Sequence, residues 1–311
     1  MARATNVSIN IDKLKVCFNQ PRETYNFLHT HYDRENPTNG IKMLDMDGYR
    51  LVFIEDDEES MTAFVDIYDG EKFVRLGSFQ FNNSQKYAGK AFFTFENSAL
   101  YSTFSIIKEN KSNWLAMLEP IADNLGMTFN NVTEVEVALD ANVDFIGKIR
   151  KYIRDVEHYE MYINGRKVKD DTKIEGYGEF YSRTRERLSK QPTLYFSQAK
   201  KTDMEMRIYN KSAELDESSP EKRQRYEQWL GWTHTDKIYR AEVVLHNTNV
   251  RDFCTRIADV TPELGEHDAF LGHLNIVSFR GSIFADASDR LVYFKDKETG
   301  KKISVVDLLG I

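Results

Sequence analysis

Three stretches of this chain alternate apolar with polar or charged residues over the length of a strand. Residues 204–211 read Met-Glu-Met-Arg-Ile-Tyr-Asn-Lys, residues 133–140 read Thr-Glu-Val-Glu-Val-Ala-Leu-Asp, and residues 238–245 read Ile-Tyr-Arg-Ala-Glu-Val-Val-Leu. Side chains of a strand point alternately to its two faces. Arg207, Tyr209 and Lys211 therefore share a face, with Met206 and Ile208 turned to the core. Glu134, Glu136 and Asp140 lie opposite Val135, Val137 and Leu139, and Arg240 shares a face with Glu242 and Val244. Such strands need a sheet with one apolar side and one side that carries charge.

A phenol with two cations beside it is the equipment of a nucleophile that attacks a phosphodiester. The cations stabilise developing phenolate and neutralise the phosphate it approaches. Carboxylates on the inner face of neighbouring strands repel unless something positive lies between them. A hard divalent cation such as Mg²⁺ or Mn²⁺, with oxygen ligands, is the usual solution. A half-exposed strand and a solvated acidic sheet face account for the same alternation, so at this level both readings stay open.

The order of these strands resembles the Rep_trans family, the rolling-circle replication initiators of small plasmids, and more faintly the gene II replication protein of filamentous phages. The residues that carry the likeness are Glu134-x-Glu136-x-x-x-Asp140, then Tyr195-Phe196, then Arg207-Ile208-Tyr209-Asn210-Lys211 with Glu214 behind it, then Arg240-x-Glu242. Upstream, Ala91-Phe92-Phe93-Thr94-Phe95-Glu96-Asn97 resembles a family strand, so the likeness spans roughly 87–250. It implies that Tyr209 nicks one origin strand, keeps a 5′-phosphotyrosyl link and leaves a 3′-hydroxyl. It implies Glu136, Asp140 and Glu242 as ligands of Mg²⁺ or Mn²⁺, Lys211 and Arg207 on the scissile phosphate, and Arg240 orienting a carboxylate or phosphate. Implied partners are double- and single-stranded origin DNA, a host helicase and polymerase, and a second copy of the chain in a homodimer. The chain departs from the family at Glu134, often Arg there, and at Glu136, usually Asp. A conjugative or mobilisation relaxase would use the same chemistry, and a non-catalytic origin-binding or copy-control protein would keep the fold without it.

Charge bears on the partner. The net charge of −7 disfavours a general nucleic-acid coat. The distribution is uneven, because residues 147–240 hold 21 Lys and Arg against 16 Asp and Glu, and the remainder 21 against 33. The basic residues include Lys148, Arg150, Lys151, Arg154, Arg166, Lys167, Lys169, Arg183, Arg185 and Arg187, which flank the tyrosine strand in sequence. That balance favours salt-sensitive, transient engagement of DNA. The chain shows no apolar run of membrane length and no signal peptide, and Cys17 and Cys254 have no metal spacing, so a cytoplasmic, bacterial protein with reduced thiols is expected.

With 311 residues and 6 prolines the chain can build a sizeable core without long linkers. Strands are expected at 5–17, 87–96, 133–140, 193–198, 204–210 and 237–245, and helices at 21–32, 98–126, 143–157 and from Pro220, capped by Ser219, to about Leu230. Asp47-Gly48, Asp69-Gly70, Asn164-Gly165 and Glu298-Thr299-Gly300 read as hairpin turns. The expected fold is α+β, a central antiparallel sheet with helices packed mainly on one side. The unit 88–140 has a counterpart at 193–245, compatible with a duplicated α+β half. With the resemblance, the expected division is 1–86 as an N-terminal α/β hairpin region and candidate DNA-recognition part, 87–250 as the catalytic nicking core and 251–311 as a C-terminal extension packed on the core. His29 and His31 fall on a helix where i and i+2 diverge, so they are not a metal pair. Trp229 and Trp232 read as helix packing, and no phosphate loop is present.

Overall fold

The computed structural model describes residues 6–34, 42–56, 59–101, 114–169, 173–176, 179–182, 193–197, 204–258 and 267–309. Its strands are β1 (Val7–Asn19), β2 (Lys42–Met46), β3 (Tyr49–Asp56), β4 (Ser60–Tyr68), β5 (Phe73–Asn82), β6 (Lys90–Phe95), β7 (Thr128–Ala141), β8 (Tyr159–Ile163), β9 (Arg166–Lys167), β10 (Lys173–Gly176), β11 (Glu179–Ser182), β12 (Thr193–Ser197), β13 (Met204–Asn210), β14 (Tyr239–His246), β15 (Val292–Asp296) and β16 (Lys302–Ser304). The helices are α1 (Arg22–Arg34), α2 (Asn97–Leu100), α3 (Glu119–Asn124), α4 (Phe145–Arg154), α5 (Lys211–Asp216), α6 (Pro220–Leu230), α7 (Asn247–Ala258), α8 (His267–His273), α9 (Val277–Leu291) and α10 (Val305–Leu309). The fold is α+β with antiparallel strand pairing, as the alternation requires.

The chain forms two compact units. One comprises Met1–Asn10, Glu136–Asn249 and Ile276–Ile311, the other Ile11–Val135 and Val250–Asn275. The second unit carries the antiparallel order β1-β6-β5-β4-β3-β2. Its turns sit at Gly48 and Gly70, both with positive φ, where the Asp-Gly pairs placed them. Its core is aromatic: Phe18, Phe79, Phe81, Phe93 and Phe95 are buried, and Phe95 meets Trp114 edge-on with ring centres 5.1 Å apart. Gly77 on β5 gives room for that packing, since a Cβ there would lie 2.3 Å from the Thr94 carbonyl oxygen and 2.5 Å from the Phe93 ring. Of the helix expected over 98–126, residues 102–113 lie outside the described ones; the described residues carry α2 and α3, with turns before α3, and Pro120 stands at the first turn of α3, where a missing N–H is tolerated.

The first unit carries the order β12-β13-β14-β7 and a separate sheet, β16-β15-β8-β9. Met204, Met206 and Ile208 of β13 and Ala241, Val243 and Leu245 of β14 are buried, and α9 and α4 pack on these strands. Helix α4 starts where the Asp144 carboxylate accepts the Gly147 amide and buries Phe145, Ile146, Ile149 and Ile153. Asn164 and Gly165 both take positive φ in the β8–β9 turn, the geometry a two-residue hairpin demands. With the apolar side of β13 and β14 covered, their alternate residues form the charged side on which the candidate site stands.

Gly77→Ala should destabilise the second unit by about 2–3 kcal/mol, because one of the atoms in the way belongs to the backbone and cannot turn aside. Urea unfolding of the variant tests this, and an unchanged midpoint would mean that Phe93 and the Thr94 carbonyl do not close over this position.

Candidate active site

The register of two strand pairs builds the site. β13 and β14 are antiparallel, with Arg207 opposite Glu242 and Tyr209 opposite Arg240, and β12 places Tyr195 opposite Arg207. Residues directly opposite share a face and lie close enough to interact. The diagonal brings the Tyr209 phenol to Glu242, where Oη donates to Oε1 at 2.6 Å.

Strand β13 ends at Asn210, whose side chain accepts the Ala213 amide at 3.0 Å and so opens α5. Lys211 is thus the first residue of a helix, not the last of a strand as alternation alone suggests. Its side chain nonetheless turns back into the site. Nζ lies 3.4 Å from Tyr209 Oη and 2.5 Å from Glu214 Oε2, with only 4% of the side chain exposed. Glu214 also receives Lys222 at 2.8 Å. These two cations outweigh burial and hold the Glu214 carboxyl below the usual carboxylate range.

Arg240 and Asp140 are both fully buried and bound in fork geometry, Nε to Oδ1 at 2.6 Å and Nη2 to Oδ2 at 2.8 Å. Nη1 of Arg240 reaches Glu242 Oε1 at 3.3 Å. Arg207 offers one nitrogen to two carboxylates: Nη2 lies 2.8 Å from Glu136 Oε1 and 3.0 Å from Glu242 Oε2. Its Nε is buried without an acceptor among the described residues. Burial opposes the charge on Arg207, but Glu242 and Glu136 dominate and raise its pKa. The positive group that acidic strands require is therefore present as Arg207 between Glu136 and Glu242.

Burial, followed by the Glu242 charge and hydrogen bond, pushes the Tyr209 phenol far above its ordinary pKa, with Arg240 opposing. The phenol stands here as a neutral donor. Of the seven residues expected at the site, all are on this face of the first unit or at its edge. Asp140 and Arg240 form a bidentate pair, and Arg240 Nη1 links that pair through Glu242 to the cluster of Tyr209, Lys211, Glu242, Glu136 and Arg207 around the phenol. Glu134 takes no part and pairs with Lys13 at 2.8 Å. Two residues that sequence reasoning did not place in the site belong to it: Glu214, and Tyr226 of α6, whose ring centre lies 4.6 Å from Lys211 Nζ. Tyr226 is legible as one of two aromatic residues of a charged helix, but not as a neighbour of Lys211.

The oxygens of Glu136 and Glu242 nearest each other lie within 4.8 Å. Two carboxylates at that spacing are a donor set suited to a hard divalent cation once the Arg207 guanidinium gives way. Asp140 does not fit such a role, because Arg240 occupies both its oxygens.

Asp140→Ala should destabilise the first unit by about 3–5 kcal/mol, since it leaves the Arg240 guanidinium buried with half its partners gone. Replacing the pair together, Asp140→Leu with Arg240→Met, should restore much of that loss. Urea unfolding of the single and double variants decides it; equal losses in both would show that the ion pair itself carries the stability.

No family model matches the chain, and the search of curated proteins finds no similar one. Among solved structures, the chain is similar to a rolling circle replication initiator protein from Geobacillus stearothermophilus, with 13% identity and a TM-score of 0.45, over 98% of this chain and 96% of that chain.

Proposed function

We propose that this chain nicks one strand of origin DNA with Tyr209 as nucleophile and so initiates rolling-circle replication. The observation that carries the reading is the phenol itself, in hydrogen-bond contact with the Glu242 carboxylate at 2.6 Å and within 3.4 Å of the Lys211 ammonium. An acceptor and a cation on one phenolic oxygen are the parts that a tyrosine nucleophile needs.

The resting phenol is protonated, so its proton must leave as the attack proceeds. Glu242 Oε1 is placed to take it. The Tyr209 Oη–P bond forms while the P–O3′ bond breaks. The 5′-phosphate stays on the tyrosine, and O3′ gains a proton to become the 3′-hydroxyl that primes synthesis. The phosphodiester is exchanged for a phosphotyrosyl ester, so the step needs no nucleotide and ligation reverses it. Lys211 offsets the negative charge that moves onto the phenolic and phosphoryl oxygens. Arg207, with a third of its side chain exposed, is placed to turn from the carboxylates to an incoming phosphate. Arg240 keeps Glu242 in place and has no exposed atom to offer the substrate. Mg²⁺ or Mn²⁺ held by Glu136 and Glu242 would supply polarisation of a non-bridging phosphoryl oxygen and charge at the leaving oxygen. The basic stretch 147–240 would supply salt-dependent hold on the DNA backbone, and residues 1–86 and 251–311 would flank the nicking core.

Tyr209→Phe should abolish cleavage and the covalent DNA–protein adduct while DNA binding persists. The test is incubation with supercoiled and single-stranded candidate origin DNA plus Mn²⁺, followed by mass spectrometry of the adduct. A link to another tyrosine, Tyr195 for example, would reassign the nucleophile. Absence of any adduct under all metal conditions would leave an origin-binding protein without the chemistry.

Glu242→Gln should slow single-turnover cleavage by at least about 10²-fold, as loss of a proton acceptor does. Glu136→Gln, which leaves that acceptor intact, should mainly raise the Mn²⁺ concentration needed. Metal titrations of both variants separate the two roles, and identical profiles would merge them.

A further inference from the structure

We infer that Tyr226 is a positioning residue for Lys211, holding its ammonium against the Tyr209 phenol by a cation–π contact. This rests on the reading of Tyr209 as the nucleophile. Lys211 Nζ lies 4.6 Å from the centre of the Tyr226 ring and 5.6 Å from that of Tyr209, so two aromatic rings bracket one ammonium. The Tyr226 ring also faces the Arg240 guanidinium at 5.5 Å. Two buried cations beside the same phenol repel each other. The negative face of a ring attracts both without adding a charge.

The position of Tyr226 is built, not incidental. Helix α6 is set by its ends: Ser219 Oγ accepts the Lys222 amide at 3.2 Å, Pro220 follows, and Gly231 closes the helix in the left-handed conformation. Tyr226 is the buried residue of this helix, and Trp229 one turn on meets its ring edge-on at 5.3 Å between centres. Those contacts fix the plane of the ring.

Lys211 is also paired with Glu214, at 2.5 Å. That carboxylate is shared with Lys222 and competes with the phenol for the ammonium. A lysine side chain has four rotatable bonds and follows its best partner. Tyr226 supplies an attraction from α6, with Nζ 4.6 Å from its ring centre and 3.4 Å from Tyr209 Oη.

The experiment is single-turnover cleavage of a labelled single-stranded DNA that carries the origin, at saturating DNA, with affinity measured alongside. Four variants are needed: Tyr226→Phe, Tyr226→Leu, Lys211→Met and the double variant Tyr226→Leu with Lys211→Met. Tyr226→Phe retains the ring and should cleave close to the wild-type rate. Tyr226→Leu should cleave about tenfold more slowly at unchanged affinity, the scale of a desolvated cation–π contact. The double variant should be no slower than Lys211→Met alone, since the ring acts only through the lysine. Tyr226→Met serves the same purpose if the leucine variant does not fold. The inference is overturned if Tyr226→Leu keeps its rate, if Tyr226→Phe is as slow as Tyr226→Leu, or if the losses multiply in the double variant. If Tyr209→Phe still forms the adduct, the nucleophile assignment fails and this inference with it, a result distinct from the other three.

Discussion

An arginine with no exposed atom governs the charged side of the first unit. Removing a guanidinium from water is costly, and only well-formed partners offset the cost. Arg240 has them in Asp140, through two hydrogen bonds, and in Glu242. That requirement fixes the register of β14, because a slip of one residue would turn Arg240 to the apolar side where Ala241 and Val243 now lie. It would also carry Glu242 away from Tyr209. The ion pair and the site are thus settled by the same strand alignment.

Glu242 is the junction of the arrangement. Its Oε1 receives the Tyr209 phenol and Arg240, and its Oε2 receives Arg207. The same carboxylate that holds two arginines therefore keeps the phenol protonated and oriented. The consequence is a phenol fixed in place but not ionised.

Much of this face was legible in the sequence because alternation decides which residues point together. Arg207 and Tyr209 on β13, Glu136 on β7 and Arg240 and Glu242 on β14 are assigned by period alone, and the Asp-Gly and Asn-Gly turns mark hairpins by backbone conformation. What was not legible depends on who sits opposite. Asp140 and Arg240 are 100 positions apart in the chain, and nothing local tells a metal ligand from the partner of a buried arginine. Lys211 reads as the next strand residue until Asn210 caps a helix in front of it. Tyr226 sits on a helix with little apolar pattern, so only its packing reveals that it faces the lysine. Local periodicity fixes the face a residue is on, and tertiary pairing fixes its task.

Burial then sorts residues of one type into different tasks. Arg207 and Arg240 both touch Glu242, and their side-chain chemistry is identical. Arg240 has no exposed surface and both oxygens of a fixed carboxylate, so moving it would strand a buried charge. Arg207 is one-third exposed, shares a single nitrogen between two acids and has a buried Nε without an acceptor among the described residues. A guanidinium so placed gains hydrogen bonds by turning to an anion that can accept from two of its nitrogens, as a phosphate does. The fully buried arginine is thus committed to the sheet, and the incompletely satisfied one is able to exchange a carboxylate for another anion.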